Sequence, residues 1–320
     1  MGRRRSDQGT DALRLLAALF VVVIHVADPA TTAGLCWDAA ARFSVPVFVI
    51  ISGWYLLARD GGGLARRGAR LLGQMVCWSA VYLAYNSWRY GFEPEGLRGA
   101  GRYLLTQPPH LWYLWAIAGL YLLTPLLRPL HRAAGRGLYR YALALCFLFG
   151  CVCVTLVRTG CFPALAEILD RTKLPYGLGF VFLYLLGGYL RRFGLGRTWP
   201  WALCAVGGTA VTVGMVLWAA RDGGDWSWAG SFFAPWAALA GAGVFAVVQN
   251  AARGRPWPGA RLLARLAGWT LGVYLMHPLV VDVLRHAGVH PAWLLVLAGF
   301  ALSLAVTAVL SRVPGVRRVV

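Results

Sequence analysis

Charged residues are scarce in this sequence. They make up 13% of its 320 residues, against about 25% in a typical soluble domain. Apolar residues make up 59%, and runs of about 20 predominantly apolar residues, each long enough to span a bilayer core, recur along the chain. This composition excludes an ordinary soluble protein. We predict a single transmembrane domain over residues 1–320, without a separate soluble domain.

Acidic residues, metal-ligand clusters and internal repeats are also lacking. Only 12 residues are Asp or Glu, which leaves few acids within the apolar runs and argues against an ion-coupled transporter. The sequence has no internal repeat of the kind that many secondary transporters contain. Cys151 and Cys153 form a Cys-x-Cys pair, but the further ligands of a zinc site are missing around it. We therefore expect no metal site.

Basic residues, in contrast, are plentiful, and their distribution predicts a topology. Lys and Arg number 31, and the formal net charge is +19. Most of them lie in alternate loops, which by the positive-inside rule are cytoplasmic; a nucleic-acid-binding patch would not alternate in this way. The two longest outer loops lie near 91–110 and 159–175. We predict an all-α membrane bundle of about ten transmembrane helices, N-in/C-in, at roughly 11–28, 43–58, 71–90, 111–129, 141–158, 176–191, 199–219, 231–250, 267–285 and 292–310.

The segment DALRLLAALFVVVIH, residues 11–25, places three ionisable side chains in the first predicted span. At 3.6 residues per turn, Asp11, Arg14 and His25 share one stripe of the helix. Asp11 and Arg14 then lie near the cytoplasmic interface, and His25 lies deep, beyond the midplane, where water is scarce. Arg14 could simply extend to the interface, and His25 could be a buried structural histidine. Three polar groups on one stripe favour a polar path that enters the bundle from the cytoplasm.

Four further stretches follow that segment in order: SVPVFVIISGWYLL with its Ser-Gly, ARRGARLLGQ with Arg-x-x-Arg at Arg67 and Arg70, HLWYLWAIAGLYLLTPLLRP, and WTLGVYLMHPLVV with Tyr-Leu-x-His-Pro. Together with the arginine and histidine of the first span, they resemble the membrane-bound acyltransferase family 3. The resemblance extends from residue 11 to about residue 282. One departure is LLGQMVC, which replaces a proline-containing turn often found after the two arginines.

The resemblance implies transfer of an acyl group, most often acetyl from acetyl-CoA, to a hydroxyl of a carbohydrate or a related small molecule. No tightly bound cofactor is expected, because acyl-CoA is the donor substrate. An imidazole is well suited to remove the acceptor's proton near neutral pH. We therefore predict a catalytic set of Asp11, Arg14 and His25, with His25 as general base. Direct transfer and an acyl-histidine intermediate are both open at this point.

Three arginines on the inner side are candidates for binding the donor. Arg66, Arg67 and Arg70 could pair with the phosphates of acyl-CoA through their planar guanidinium groups. The positive-inside rule alone also accounts for arginines at these positions. We predict a donor-binding role for all three, less strongly for Arg66.

A second group of candidates lies near the predicted outer face. His277 could hold the tautomer of His25, bind the acceptor, or satisfy backbone groups freed by Pro278. Aromatic residues at the head of the fourth span could contact a sugar, although membrane-interface belts also contain Trp and Tyr. Gly53, with the neighbouring serine, is expected to permit close helix packing. The predicted acceptor-binding set is His277, Tyr274, His110, Trp112 and Tyr113.

Two other classes of function compete with an enzyme. A transporter or flippase for a lipid-linked sugar or a small solute would also line a path with polar groups, and a sensor or scaffold in an envelope complex would need no chemistry. The abundance of Arg, Ala and Gly suggests a bacterial source, so we expect the cytoplasmic (inner) membrane as the location. The expected partners are the lipid bilayer, acyl-CoA and a hydroxyl acceptor, with no nucleic acid. The sequence leaves the acceptor, the acyl chain and the oligomeric state open.

Overall fold

The computed structural model describes residues 7–59, 63–106, 109–172, 177–254 and 256–319. Residue 176, where the sixth predicted span begins, lies outside these ranges. The described chain is helical and contains no β-strand. A π-helical turn, Leu148–Cys153, joins α7 to α8. The α-helices are α1 Gln8–Val26, α2 Thr32–Ala41, α3 Ser44–Leu56, α4 Leu64–Tyr90, α5 Gly96–Thr106, α6 Trp112–Ala133, α7 Arg136–Phe147, α8 Val154–Arg158, α9 Pro163–Thr172, α10 Leu178–Phe193, α11 Thr198–Ala219, α12 Pro235–Ala251, α13 Ala260–Ala267, α14 Thr270–His286 and α15 Ala292–Leu310.

Six helical segments of the described chain are long and apolar enough to cross a membrane. The pair α13 and α14 would make a seventh, although the two helices meet at a bend of 60°. A helix overlaps each of the ten predicted ranges, but α10 and α12 contain only 16 and 17 residues. The protein is therefore an all-helical membrane protein with several spans. The six segments are Gln8–Val26, Thr32–Leu56, Trp112–Ala133, Arg136–Arg158, Thr198–Ala219 and Ala292–Leu310.

Helix α1 lies at the centre of the bundle. It contacts α2, α3 and each of α12 to α15, and its residues Leu13, Ala17 and Val22 are fully buried. Helices α11 and α15 lie at the periphery and expose large apolar side chains, among them Val206 and Leu297. Exposed apolar surface of this kind suits contact with lipid rather than water. Helix α1 is therefore an interior helix of the bundle.

Helices α3 and α10 approach each other at backbone contact. A Cβ atom added to Gly53 would lie 1.8 Å from the carbonyl oxygen of Tyr184, and one added to Gly187 would lie 2.1 Å from that of Ile50. Only glycine fits at such a crossing. The prediction that Gly53 allows close helix packing is confirmed. The neighbouring Ser52 donates to the Phe48 carbonyl in its own helix, at 2.9 Å.

Three segments that the sequence analysis treated as loops are helical. They are α2, which precedes the second predicted span, and α5 and α9, which lie in the two long outer loops. Helix α2 buries Leu35 and Ala39 and exposes Trp37, and the Thr31 side chain caps its first turn by accepting from the Gly34 N–H at 3.0 Å. Helices α5 and α9 are amphipathic and about ten residues long, too short to be recognised as membrane spans, whereas α2 continues into α3 as the segment Thr32–Leu56.

Candidate functional site

Three histidine rings converge from distant parts of the chain. His25 comes from the last turn of α1, His110 from the short turn before α6, and His277 from α14. The ring centroids of His25 and His277 are 4.8 Å apart. His110 lies 6.2 Å from His25 and 5.9 Å from His277. The sequence analysis had assigned these residues to a catalytic and an acceptor-binding set, and the structure brings all three together as one histidine cluster.

The protonation state of His277 follows from its hydrogen bonds. Pro278 has no N–H to donate to the carbonyl of Tyr274 one turn earlier, and the Nδ1 atom of His277 lies 2.9 Å from that oxygen and 3.0 Å from the Val273 carbonyl. Since carbonyls only accept, Nδ1 carries the proton and the other ring nitrogen, Nε2, is a free base. This Nε2 is buried and has no hydrogen-bond partner in the described part of the chain. One of the three roles considered for His277, satisfying the backbone freed by proline, is thus observed.

Two tyrosines hold the cluster from its sides. The hydroxyl of Tyr274 donates to the carbonyl of His110. The ring of Tyr82, from α4, lies 4.8 Å from the His110 ring, and its hydroxyl donates to the Leu275 carbonyl at 3.0 Å. Tyr82 was missed in the sequence analysis, because nothing local distinguishes it from other aromatic residues of a membrane helix. These contacts tie α4, α6 and α14 together around His110.

The three histidines differ in how much of their side chains is exposed. His277 is fully buried and His110 is 8% exposed, whereas the side chain of His25 is exposed. His25 was predicted to lie deep in the bundle; its ring packs against the buried ring of His277, and its side chain nevertheless has accessible surface. Helix α1 spans Gln8–Val26 and not 11–28, so it ends one residue after His25. His25 is therefore the histidine of the cluster that a bound molecule can reach.

Asp11 and Arg14 lie near the other end of α1. Their side chains are 3.8 Å apart, and Arg14 is half-buried. The second carboxylate oxygen of Asp11, Oδ2, is buried without a hydrogen-bond partner among the described residues. The guanidinium of Arg14 also lies 5.8 Å from the centre of the Tyr55 ring. The adjacency of Asp11 and Arg14 on α1 is as predicted.

A basic cavity of about 610 Å³ opens beside Arg14. We call it the arginine basin. Asp11 lies on its wall, as does Asp7, which caps α1 by accepting from the Thr10 N–H at 3.2 Å. Four arginines outnumber these two acids, so the basin suits an anion. Its lining residues are Asp7, Asp11, Arg14, Ile51, Ser52, Trp54, Tyr55, Leu56, Ala58, Arg59, Arg67, Tyr121 and Arg191.

The structure brings one of the three predicted donor-binding arginines to this basin. Arg67, half-buried on α4, lines it. Arg66 is exposed and does not line it. Arg70 is also exposed and lies 3.5 Å from the carbonyl oxygen of Arg317, towards the C-terminal segment. Arg59 and Arg191, which the sequence analysis did not single out, line the basin instead.

A second cavity, of about 300 Å³, also has Arg14 on its wall. It is mostly apolar, and Phe48, Tyr113 and Tyr274 form part of its wall. Arg14 lines both cavities, and Tyr274 connects the second one to the cluster through its bond to the His110 carbonyl. Both cavities thus adjoin α1 at Arg14, and Tyr274 on the wall of the second contacts the histidine cluster. We call the second cavity the tyrosine channel.

A third cavity, of about 790 Å³, lies beside the head of α6. Trp112 lines it and stacks on Phe232 at a centroid distance of 5.8 Å. Arg42 also lines it, lies 4.9 Å from the Phe232 ring centre, and pairs with Asp38 through two hydrogen bonds of 2.8 Å. Trp112 thus lies in a cavity, as an acceptor-binding residue requires, whereas Tyr113 lines the tyrosine channel.

The described residues contain no group of three or more His, Cys, Asp or Glu side chains able to hold a metal ion. Cys151 and Cys153 are both buried in or beside the π-helical turn and carry free thiols.

A family model described as an acyltransferase domain matches residues 7–312, which is nearly the whole chain. Searches of curated proteins and of solved structures found no match. The matched range contains the histidine cluster, the arginine basin and the channel between them. The chain therefore belongs to acyltransferase family 3 and is a membrane acyltransferase.

Proposed function

We propose that this protein transfers an acetyl or other short acyl group from cytoplasmic acyl-CoA to a hydroxyl of a carbohydrate or a related acceptor, with His25 as general base. The observation that carries the proposal is the set of sites along α1. At one end lies the arginine basin, and at the other lies an exposed imidazole that contacts a buried one. A polyanionic donor and a proton acceptor would thus meet on one helix.

The arginine basin is the proposed site for the nucleotide end of the donor. Arginine pairs with phosphate through two parallel N–H groups and suits this ligand better than a point charge does. The narrower and largely apolar tyrosine channel fits the flexible arm of the donor, which ends in the thioester. In this arrangement, Arg14 lies between phosphates and thioester and orients the donor.

The reaction begins when the oxygen of the acceptor hydroxyl attacks the thioester carbonyl carbon. The hydroxyl proton passes to the accessible imidazole of His25 as the new C–O bond forms. The C–S bond then breaks, and the thiolate of CoA takes up the proton that His25 received. His277 acts as a positioning residue: its Nε2 can accept an N–H from His25 and so turn the unprotonated nitrogen of His25 towards the acceptor. Free CoA and an O-acylated acceptor are the products.

The proposed acceptor site is the third cavity, next to Trp112. Its exposed indole ring offers the flat apolar surface on which sugar rings stack, and the cavity volume is in the range that encloses a small ligand. A donor on one side of the histidine cluster and an acceptor on the other would meet at His25.

We also propose ten membrane crossings with both ends of the bundle's chain on the cytoplasmic side of a bacterial inner membrane. The alternation of basic loops and the presence of a helix in every predicted range support this topology. In a variant that retains Cys161 alone among the cysteines, a membrane-impermeant maleimide should label intact cells. Labelling only after permeabilisation would contradict the topology.

The function is tested with purified protein in nanodiscs, acetyl-CoA and a panel of glycans. Free CoA is measured, together with the mass of the acceptor. Release of CoA with one acetyl increment on an acceptor is expected. Movement of an unmodified solute or lipid-linked sugar across liposomes, without any release of CoA, would favour a transporter instead.

A further inference from the structure

Arg191 occupies a constrained position on the wall of the arginine basin. It lies near the end of α10, and its side chain is exposed to the cavity. Its guanidinium carbon lies 5.1 Å from the ring centre of Trp54 and 5.9 Å from that of Tyr55. Stacking on aromatic faces fixes the plane of a guanidinium and leaves its N–H edge available. Two aromatic rings thus contact the guanidinium of Arg191 on the wall of the basin.

The acids of the basin are engaged elsewhere. Asp11 faces Arg14 at 3.8 Å, and Asp7 accepts a hydrogen bond of 2.9 Å from the Tyr55 hydroxyl while it caps α1. Within the described part of the chain, neither Arg67 nor Arg191 forms an ion pair with a carboxylate. Two arginines from different helices, α4 and α10, therefore present uncompensated positive charge to one cavity.

The neighbouring Arg192 shows that a position on the cytoplasmic side does not by itself place an arginine on the wall of the basin. Arg192 donates to the carbonyl oxygens of His131 and Ala134 and does not line the basin. It joins the ends of α6 and α10 and so has a structural role. Among the described residues, Arg191 donates no such hydrogen bond to a backbone carbonyl. Its guanidinium instead contacts the rings of Trp54 and Tyr55.

We propose that Arg191, held against Trp54 and Tyr55, binds a phosphate of the nucleotide end of the acyl donor, on the wall of the basin formed by α3 and α10. Arg67 binds from α4. This subsite rests on the proposed function, since it assumes acyl-CoA as donor. The Arg191 subsite adds an anion contact outside the Arg-x-x-Arg segment. Affinity for the donor should then depend on α4 and α10, which are far apart in sequence.

The test measures the dissociation constants of three ligands with protein in phosphatidylcholine nanodiscs. Acetyl-CoA contains the phosphorylated nucleotide and the thioester arm. Adenosine 3′,5′-bisphosphate has a phosphorylated nucleoside without the arm, and S-acetylpantetheine has the arm without the nucleotide. Arg191→Gln should weaken acetyl-CoA and the bisphosphate by roughly tenfold to a hundredfold, the loss of a charge-assisted hydrogen bond. S-acetylpantetheine should bind as it does to the unchanged protein. The matched control is Arg197→Gln, since Arg197 is exposed on the same side and does not line the basin.

The outcomes separate this proposal from the proposed function. If the unchanged protein binds acetyl-CoA and Arg191→Gln binds it equally well, the subsite is overturned while the donor stands. If all three ligands weaken together, Arg191 acts through the fold or through lipid, and the subsite is again overturned. If the unchanged protein binds none of the three, the donor assignment itself fails.

Discussion

The imidazole rings of His25 and His277 lie 4.8 Å apart, although the two residues come from opposite ends of the chain. One ring is fixed: His277 is fully buried, and its Nδ1 is held by two backbone carbonyls. The other ring is exposed. A fixed imidazole with a free nitrogen beside an accessible one is an arrangement in which the first can orient the second for proton transfer.

Two substitutions of His277 should separate its structural role from its positioning role. His277→Ala leaves the Tyr274 carbonyl without a partner and should lower the free energy of unfolding by about 1–3 kcal/mol. His277→Asn keeps an N–H at the position of Nδ1 and removes Nε2, so stability should be largely retained while the rate of acyl transfer falls at least ~100-fold. Thermal unfolding in detergent and CoA release measure the two effects. A fully active, stable Asn variant would remove His277 from the mechanism.

The rate of acyl transfer should fall as the pH is lowered, because a general base acts in its unprotonated form. A protonated imidazole cannot accept a proton, so kcat/KM should be level at higher pH and fall as the pH is lowered. A rate that rises as the pH falls would contradict the assignment of a histidine base. The dissociation constant of acetyl-CoA, measured at each pH, shows whether a change in rate comes from proton transfer or from weaker donor binding.

Arg66 and Arg67 form a matched pair for the donor site. They are adjacent in sequence and carry the same charge, but only Arg67 lines the arginine basin. Arg67→Gln should raise the KM for acetyl-CoA about tenfold, as expected for loss of a charge-assisted contact, with kcat little changed. Arg66→Gln should leave both constants within twofold, roughly the range of an exposed charge. Equal effects of the two substitutions would mean that the overall positive charge of this region, and not the basin, attracts the donor.

The crossing of α3 and α10 should not tolerate a side chain at Gly53. The Cβ of alanine there would lie 1.8 Å from the Tyr184 carbonyl oxygen, so Gly53→Ala should destabilise the fold by at least ~2 kcal/mol or prevent expression. Gly207→Ala on α11 is the control, because an added Cβ meets nothing within 4 Å at that position. Thermal unfolding and expression yield report the difference. A Gly53→Ala protein as stable as Gly207→Ala would show that the two helices can separate at no cost.

The local features of the site could be predicted from the sequence, and the long-range ones could not. The Asp11 and Arg14 pair follows from their spacing on one helix, and the need for an N–H donor beside Pro278 follows from the missing proline N–H. The contact of His25 with His277 depends on how α1 packs against α14, which no local pattern encodes. The accessible surface of His25 was not predicted, because the side chains packed around its ring, His110 and His277, come from distant parts of the chain. Arg191 was overlooked because its aromatic partners lie on a different helix.

The most direct test of the account is CoA release by His25→Ala protein. Purified protein in nanodiscs, an accepted glycan and acetyl-CoA are used, with thermal unfolding as a check that the fold is retained. Binding of acetyl-CoA should be unchanged, since His25 does not line the arginine basin. The rate of transfer should fall by ~100- to 10,000-fold, the contribution of a general base. A folded His25→Ala protein that releases CoA and acylates the acceptor at the unchanged rate would contradict the assignment of His25 as general base.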